Sequence, residues 1–435
     1  MSTVKKTPQD RFRLPDHFRF GATLCAYSVE GGNTHADWAH WEQRPGRIAD
    51  GATAHPAANH AEIWREDLNI AQRLGLDTLL MNLEWSRICP AGPAAASTAL
   101  DHYASVLEGL AARGIRPMLA LQHTSLPEWL ARSGGWAAPG AGDAAAAYID
   151  AVARRLGPLA PDWLLAIEPQ HALMTTHAAG LGPTTATGWR ALRRAETQWA
   201  AAHCWLDDAL QRYAPDARLG YSVRTGSYAP LSAYSVWDLR AAERLHAMRE
   251  RRLGETVLEA GGRIDFVLAS YDGLRTAGFH PRALATHGAA SLDARGRRQA
   301  PGVFAPAPDA LAEALAYTGR WGVPVYFAGH HTPPADDTDR LHTMLDSLVT
   351  LSEAARQGAP LAGYLHRALL DGFEWSAGYT QRFGLVHVDF ATQARTPNPS
   401  AFALRDIVAA RGITPGVLRR YAPDWRAGRA ARVAA

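Results

Sequence analysis

Short apolar runs separated by longer amphipathic stretches recur along the chain, the pattern of strand and helix alternating in a parallel α/β fold. The apolar runs predict buried strands at Phe18 to Thr23, Thr78 to Leu83, Pro117 to Gln122, Trp163 to Ile167, Arg218 to Val223, Ile264 to Ser270, Pro324 to Phe327 and Leu361 to Leu365. Eight is the number that closes a (β/α)8 TIM barrel. Between them, polar stretches predict helices with one apolar stripe: Trp64, Leu68 and Ala71 share a face within Glu62 to Leu74, and Leu341, Met344, Leu345 and Leu348 share one within Asp337 to Arg356. Gly75, Gly114, Gly157 and Gly322 each end a helical run shortly before the next strand, where a left-handed cap costs least. No linker-like shift in composition and no internal repeat divides the chain. The reading is therefore one α/β barrel domain over 17–414, with an extension at 1–16 and a tail at 415–435 rich in Arg, Gly and Ala, a short docking segment followed by a frayed end.

With 435 residues, 47% of them hydrophobic and 20% charged, the chain has material for a large core, which excludes disordered and fibrous classes. The net charge of +3 is small, and Lys5 and Lys6 are the only lysines. No basic stripe interleaved with aromatics appears, so no nucleic-acid partner is expected. Cys25, Cys89 and Cys204 are odd in number and widely spaced, which suggests neither a disulfide framework nor a zinc site. No cofactor or metal is expected. No apolar stretch follows Lys5 and Lys6, and no window reaches membrane-span length, which predicts a cytoplasmic protein with no membrane partner.

In a parallel barrel, chemistry sits at the carboxyl ends of the strands, where the loops converge over one mouth. Those ends are Leu80 to Arg87, His123, Glu168 with Pro169, Arg224, Ser270 to Asp272, Gly329 to His331, and His366 to Trp375.

These residues carry a resemblance. Phe20-Gly21 through Ala26-Tyr27-Ser28-Val29-Glu30-Gly31, then Leu83-Glu84-Trp85-Ser86-Arg87-Ile88, Leu126-Pro127, Gly134-Gly135-Trp136, Ile167-Glu168-Pro169, Leu370-Asp371-Gly372-Phe373-Glu374-Trp375 and Arg382-Phe383-Gly384-Leu385-Val386 resemble, in order, the signature segments of family 1 glycoside hydrolases, the β-glucosidase family. The resemblance implies a (β/α)8 barrel and, in intact members, retaining cleavage of β-linked sugars. That reaction uses two carboxyl groups about 5 Å apart, one protonating the leaving oxygen and one attacking the anomeric carbon. Glu168 before Pro169 matches the family's acid/base, with Ile167 where asparagine is usual. An apolar neighbour at a barrel mouth predicts a raised pKa suited to donating a proton; the alternative is a structural glutamate at a strand end.

The resemblance breaks on the seventh strand. The family's nucleophile lies in a Thr-Glu-Asn-Gly run, and this chain has Ala328-Gly329-His330-His331, with Gly329 at the nucleophile's place. Between Asp309 and Asp336 the only acidic residue is Glu313, in the preceding helical run. Leu80 replaces the arginine beside the nucleophile, and Asp272 the tyrosine that bonds to it. Among sugar-holding positions, the resemblance carries over His123, Glu374 and Trp375, while Ser28 stands for a glutamine, Gly372 for an asparagine and Arg367 for the platform tryptophan. A guanidinium in place of a stacking face suggests an anionic or more polar ligand; the alternative is an internal salt bridge of Arg367 to Glu374 or Asp371.

Two replacements offer a substitute base. Asp272 could pair with Glu168 across a water, as in inverting enzymes whose carboxyls stand roughly 6.5–9.5 Å apart, or it could form a salt bridge to Arg224 or Arg367. His330 or His331 could act near the ordinary imidazole pKa of about 6.5, or serve as loop or subunit contacts. The chain is thus expected to act on or bind a carbohydrate, as a non-retaining enzyme using Glu168 or as a catalytically retired glycosidase that binds carbohydrate or protein. An ordinary β-glucosidase is nearly excluded, because loss of the nucleophile removes the covalent route.

Overall fold

The computed structural model describes residues 12–281, 289–291 and 308–426. Its barrel strands are β1 (Arg19–Leu24), β2 (Thr78–Asn82), β3 (Arg116–Gln122), β4 (Asp162–Ala166), β5 (Arg218–Pro230), β6 (Phe266–Phe279), β7 (Val325–His330) and β8 (Leu361–His366). Each pairs in parallel with the next, and β8 returns to β1 through Phe20↔Tyr364. The expected (β/α)8 barrel is therefore closed and leaves no barrel edge unpaired.

The alternation of side chains splits each strand between two cores. Inward-facing Leu80, Met118, Leu164, Phe266, Leu268, Tyr326 and Leu365 fill the barrel interior, so it is packed rather than hollow. The outward set meets the helix that follows each strand, numbered α1 (His60–Arg73), α2 (Ser97–Ala111), α3 (Ala141–Leu156), α4 (Trp189–Tyr213), α5 (Arg252–Glu259), α6 (Pro308–Thr318), α7 (Asp337–Arg356) and α8 (Pro399–Ala410). Trp64, Leu68 and Ala71 of α1 and Leu341, Met344, Leu345 and Leu348 of α7 are buried, as their spacing predicts.

Two local expectations change. Strands β5 and β6 run past Val223 and Ser270 and stay paired from Gly220↔Phe266 to Pro230↔Ala277, with a bulge between Thr225 and Ser227. The added stretch mixes polar and apolar residues, so an apolar-run criterion stops short of it. Gly75, Gly114 and Gly322 take positive φ, but Gly157 stays right-handed at φ −47°, because the chain continues into a 3-10 turn through Pro158.

Around the barrel's base, Leu14 N donates to Arg411 O at 3.0 Å, and Arg411 Nη2 donates to the carbonyls of Pro15 (2.8 Å) and Phe18 (2.6 Å). A helix at Pro415–Tyr421 follows, and Trp425 Nε1 anchors on Asp346 at 3.0 Å. The outer parts of the expected extension and tail, 1–11 and 427–435, lie outside the described residues. Among the described residues, no helix is long and apolar enough to cross a membrane.

Candidate active site

At the carboxyl ends of the strands, Cys25, Ser28, Leu80, His123, Glu168, His331, Arg367, Glu374 and Trp375 line one cavity of about 50 Å³. That is room for a few water-sized groups rather than a whole pyranose ring. Six residues expected at the site, Ser28, His123, Glu168, Arg367, Glu374 and Trp375, thus come together. Asp272, Gly329 and His330 do not line this cavity.

Glu168 follows β4 in a left-handed conformation (φ +50°) that starts the short helix Pro169–Leu173, with its backbone N–H donating to Ser222 Oγ at 3.0 Å. Its side chain is buried, and three neighbours meet its carboxylate. Ser270 Oγ donates to Oε1 at 2.5 Å, His331 Nε2 makes a short hydrogen bond to the same oxygen, and Arg224 Nη1 lies 3.4 Å from Oε2. Burial alone would raise the pKa, but the His331 imidazole and the Arg224 guanidinium outweigh it and hold the group well below the ordinary carboxylate range. The raised pKa predicted from Ile167 is therefore corrected. At neutral pH Glu168 is an ionised acceptor.

Arg224 also explains Asp272. The register Arg224↔Ser270 places Asp272 two residues further along β6 on the same face. Arg224 Nε and Nη2 donate to Asp272 Oδ1 at 2.6 and 2.5 Å. Burial opposes the Asp272 charge, and Arg224 overcomes it, so its pKa falls. The side chain is committed to the ion pair, and one guanidinium bridges both buried carboxylates.

On β7, Gly329 adopts φ +75°, and the β6–β7 register shifts between Ala269 and Tyr271. The irregularity aims the two histidines differently. His331 turns into the mouth and onto Glu168. His330 turns outward, its Nε2 2.6 Å from Ser347 Oγ of α7 and its ring edge-on to Tyr271 and Phe327. Burial pushes His330 down to about 4, with His331 adding to the effect. Of the two candidate bases, His330 turns away from the mouth towards α7 and His331 lies at the mouth, where burial and Arg224 lower its pKa against the opposing pull of Glu168. A glycine inside a strand, followed by two polar residues, is the sequence signal for such a bulge.

The half of the cavity formed by Arg367, Glu374, His123 and Trp375 is also internally paired. Arg367 Nη2 donates to Glu374 Oε2 at 2.7 Å, and the guanidinium lies over the Phe383 ring at 3.9 Å. The internal salt bridge named as the alternative to an anionic ligand is therefore present. Burial raises the Glu374 pKa against the opposing pull of Arg367. His123 Nδ1 lies 3.2 Å from Cys25 Sγ, a contact the sequence did not suggest, and burial pushes this imidazole down to about 4. Trp375 stacks on Tyr27 at 5.5 Å and meets Trp38 (4.8 Å) and His123 (5.4 Å) edge-on, so part of its surface is already covered. Ser28 is buried, its carbonyl accepting from Phe373 N at 2.9 Å. Beside the mouth, burial also pushes the carboxyl groups of Asp37 and Glu84 up to about 8 and 7. Among the described residues, no group of three or more His, Cys, Asp and Glu side chains is arranged to hold a metal ion.

Comparison with known proteins gives a consistent picture. The model of glycosyl hydrolase family 1 matches residues 10–272 and 322–413. A β-glucosidase of Agrobacterium sp. is 28% identical over 429 residues, covering 88% of this chain and 93% of that one. β-Glucosidase A of Thermotoga maritima is 25% identical, covering 92% and 99%. Among solved structures, a β-glycosidase from Pyrococcus horikoshii superposes with a TM-score of 0.84 at 23% identity over 94% of this chain and 98% of its own. The β-glucosidase from Thermotoga maritima in complex with glucoimidazole gives 0.81 at 23% identity over 92% and 100%. With the family model spanning most of its length and its barrel closed in the same way, this chain belongs to glycosyl hydrolase family 1.

Proposed function

We propose that this family 1 protein binds a carbohydrate at its barrel mouth and does not cleave it by the retaining route. The observation that carries the reading is the state of Glu168: Ser270, His331 and Arg224 occupy its carboxylate, and the nearby carboxylates of Asp272 and Glu374 are each committed to an arginine. A retaining hydrolase needs one protonated carboxyl and one free carboxylate flanking the sugar. The two carboxyl groups lining the cavity, Glu168 and Glu374, are each engaged by a positively charged or hydrogen-bonding neighbour. Ser28, His123, Glu374 and Trp375 are the ligand contacts in this reading, and entry of a sugar ring displaces the Arg367 or His331 side chain. Arg367 is already paired with Glu374, so an anionic sugar such as a uronate reaches its guanidinium only by displacing that carboxylate. The free thiols of Cys25, Cys89 and Cys204 favour a reducing, cytoplasmic setting.

One observation favours a second reading, a non-retaining glycosidase. His331 is hydrogen-bonded to a buried carboxylate, and burial and Arg224 lower its pKa, an arrangement that can move a proton. The test uses an activated 2-deoxy-2-fluoro-β-glucoside and intact-protein mass spectrometry, alongside calorimetry with glucose and glucuronate. The expected result is no covalent adduct, no release of the leaving group above background, and saturable sugar binding. Turnover without an adduct, lost in His331→Gln, would select the second reading. A stable adduct would contradict both.

A further inference from the structure

Past the carboxyl ends of the barrel strands, β5 and β6 continue as a two-stranded arm, paired from Ser227↔Leu274 to Pro230↔Ala277. Leu231 N donates to Ala277 O at 2.7 Å and extends the pairing by one bond. A helix over Val236–His246 follows, capped by Ser235, whose Oγ accepts from Asp238 N at 3.2 Å. Asp238 Oδ1 accepts from Phe279 N at 2.9 Å and ties the start of this helix to the end of β6. Spacing then divides the helix: Ala241, Ala242 and Leu245 are buried with Tyr228 and Ala277, while Val236, Leu239, Arg240 and Glu243 face the solvent. An outward stripe is ordinarily polar, yet this one begins with a valine and a leucine. Around its first turn stand Leu231, Tyr234, Trp237 and Phe279, all exposed, with the Trp237 and Phe279 rings 5.6 Å apart. Of nine large hydrophobic side chains exposed among the described residues, six lie on this arm, so the exposure is concentrated and not scattered. The family match stops at 272 and resumes at 322, so Phe279 lies outside the pattern that this chain shares with its family.

Size and charge say what covers the patch. Tyr234 is 100% exposed, Trp237 62% and Phe279 44%. With about 150–250 Å² to each aromatic side chain, the three rings leave roughly 400 Å² in water, and the three aliphatic side chains bring the patch to roughly 600 Å². That is the upper end for the largest apolar patch of a monomer. With a polar rim added, it matches the roughly 800 Å² per partner that a standard stable interface buries. Aromatic rings at the centre and charges at the edge are also how such interfaces are built. Within two turns of the helix stand Asp238, Arg240, Glu243 and Arg244, two of each sign. Such a rim has no net charge to attract nucleic acid or an anionic lipid surface, and it complements its own copy across a two-fold axis. Leu231, Val236 and Leu239 offer nothing to a sugar hydroxyl, which separates this surface from the mouth. We propose that the arm is the surface on which two copies of this chain associate, as an isologous dimer centred on Tyr234, Trp237 and Phe279. The proposal is independent of whether the mouth binds or cleaves sugars.

Sedimentation velocity on the full chain, run from high to low micromolar concentration, is the test, with thermal unfolding of each variant alongside. The expected result is a dimer at high concentration that dissociates on dilution. Tyr234→Asp and Trp237→Arg should each weaken association by about thirtyfold or more, the effect of losing one central aromatic anchor. Both should keep the native Tm, because the replaced side chains are exposed. Tyr234→Asp carries the test where Trp237→Arg disturbs the contact with Phe279. Phe402→Asp, at an exposed aromatic on α8, should leave association unchanged. A native protein that is monomeric at every concentration, including one that stays monomeric and binds vesicles of anionic phospholipid, would overturn the proposal. So would a dimer that Tyr234→Asp and Trp237→Arg leave as tight as before, because association would then use another face.

Discussion

Arg224→Met lowers the stability of the fold by about 3–5 kcal/mol at neutral pH, the cost of removing one partner from a buried ion pair. Arg224 is the cation that Glu168 and Asp272 share, and both carboxylates are 5% exposed. The sign of the pH dependence follows. In the native protein both folded pKa values lie below their unfolded values, so their stabilisation is present above about pH 4 and is lost as pH falls through the folded values. Without Arg224 the two buried carboxylates crowd each other, and their folded values rise above the unfolded ones. The variant then becomes less stable, relative to native, as pH rises from 5 to 8. Urea unfolding of both proteins at pH 5 and 8 measures this, and a loss below 1 kcal/mol at both values would show that Arg224 is not the keystone of the network.

Returning the family's residues to the broken strand does not return the family's reaction. Leu80→Arg combined with Gly329→Glu is expected to yield a protein destabilised by several kcal/mol and inert towards nitrophenyl β-glucosides. Leu80 packs in the barrel-interior cluster with Met118, Leu164, Phe266 and Leu365 and lines the mouth cavity beside Glu168, whose carboxylate is already held by Ser270, His331 and Arg224, so a further buried guanidinium is costly there. Gly329 holds φ +75°, and a Cβ there would lie 3.0 Å from Arg367 N and 3.1 Å from Arg367 Cβ. Left-handed backbone at a non-glycine residue costs on the order of 1–3 kcal/mol before the contact with Arg367 is counted. Unfolding curves and a colorimetric assay on the single and double variants separate the two terms. Hydrolysis in a folded double variant would mean that the mouth keeps the family's catalytic geometry.

The fold was legible because closed parallel strands and their helices impose strict burial patterns. All eight apolar runs fall on barrel strands, and the stripes of α1 and α7 are buried as spaced. Part of the cavity wall was legible too, since the motifs locate Ser28, His123, Glu168, Glu374 and Trp375 near the carboxyl ends of the strands, where they line one cavity. Side-chain aim was not. Whether His330 or His331 enters the mouth depends on a bulge at Gly329 that alternation does not register. The pKa of Glu168 was misjudged from its neighbour in sequence, Ile167, because the deciding groups, Arg224 and His331, come from β5 and the end of β7. Asp272 and Arg367 each had a salt bridge as the plain alternative, and the geometry forms both pairs.

In the proposed function Glu168 is a buried counter-ion and not a proton donor. Titration of 13C-labelled glutamate side chains by NMR, with Glu168→Gln used to assign its carboxyl signal, tests this most directly. The expected result is a Glu168 carboxyl that stays ionised from pH 8 into the acid range and titrates, if at all, only as the fold is lost in acid. A Glu168 carboxyl that titrates near pH 6 or above in the folded protein would contradict it and restore the residue as a general acid.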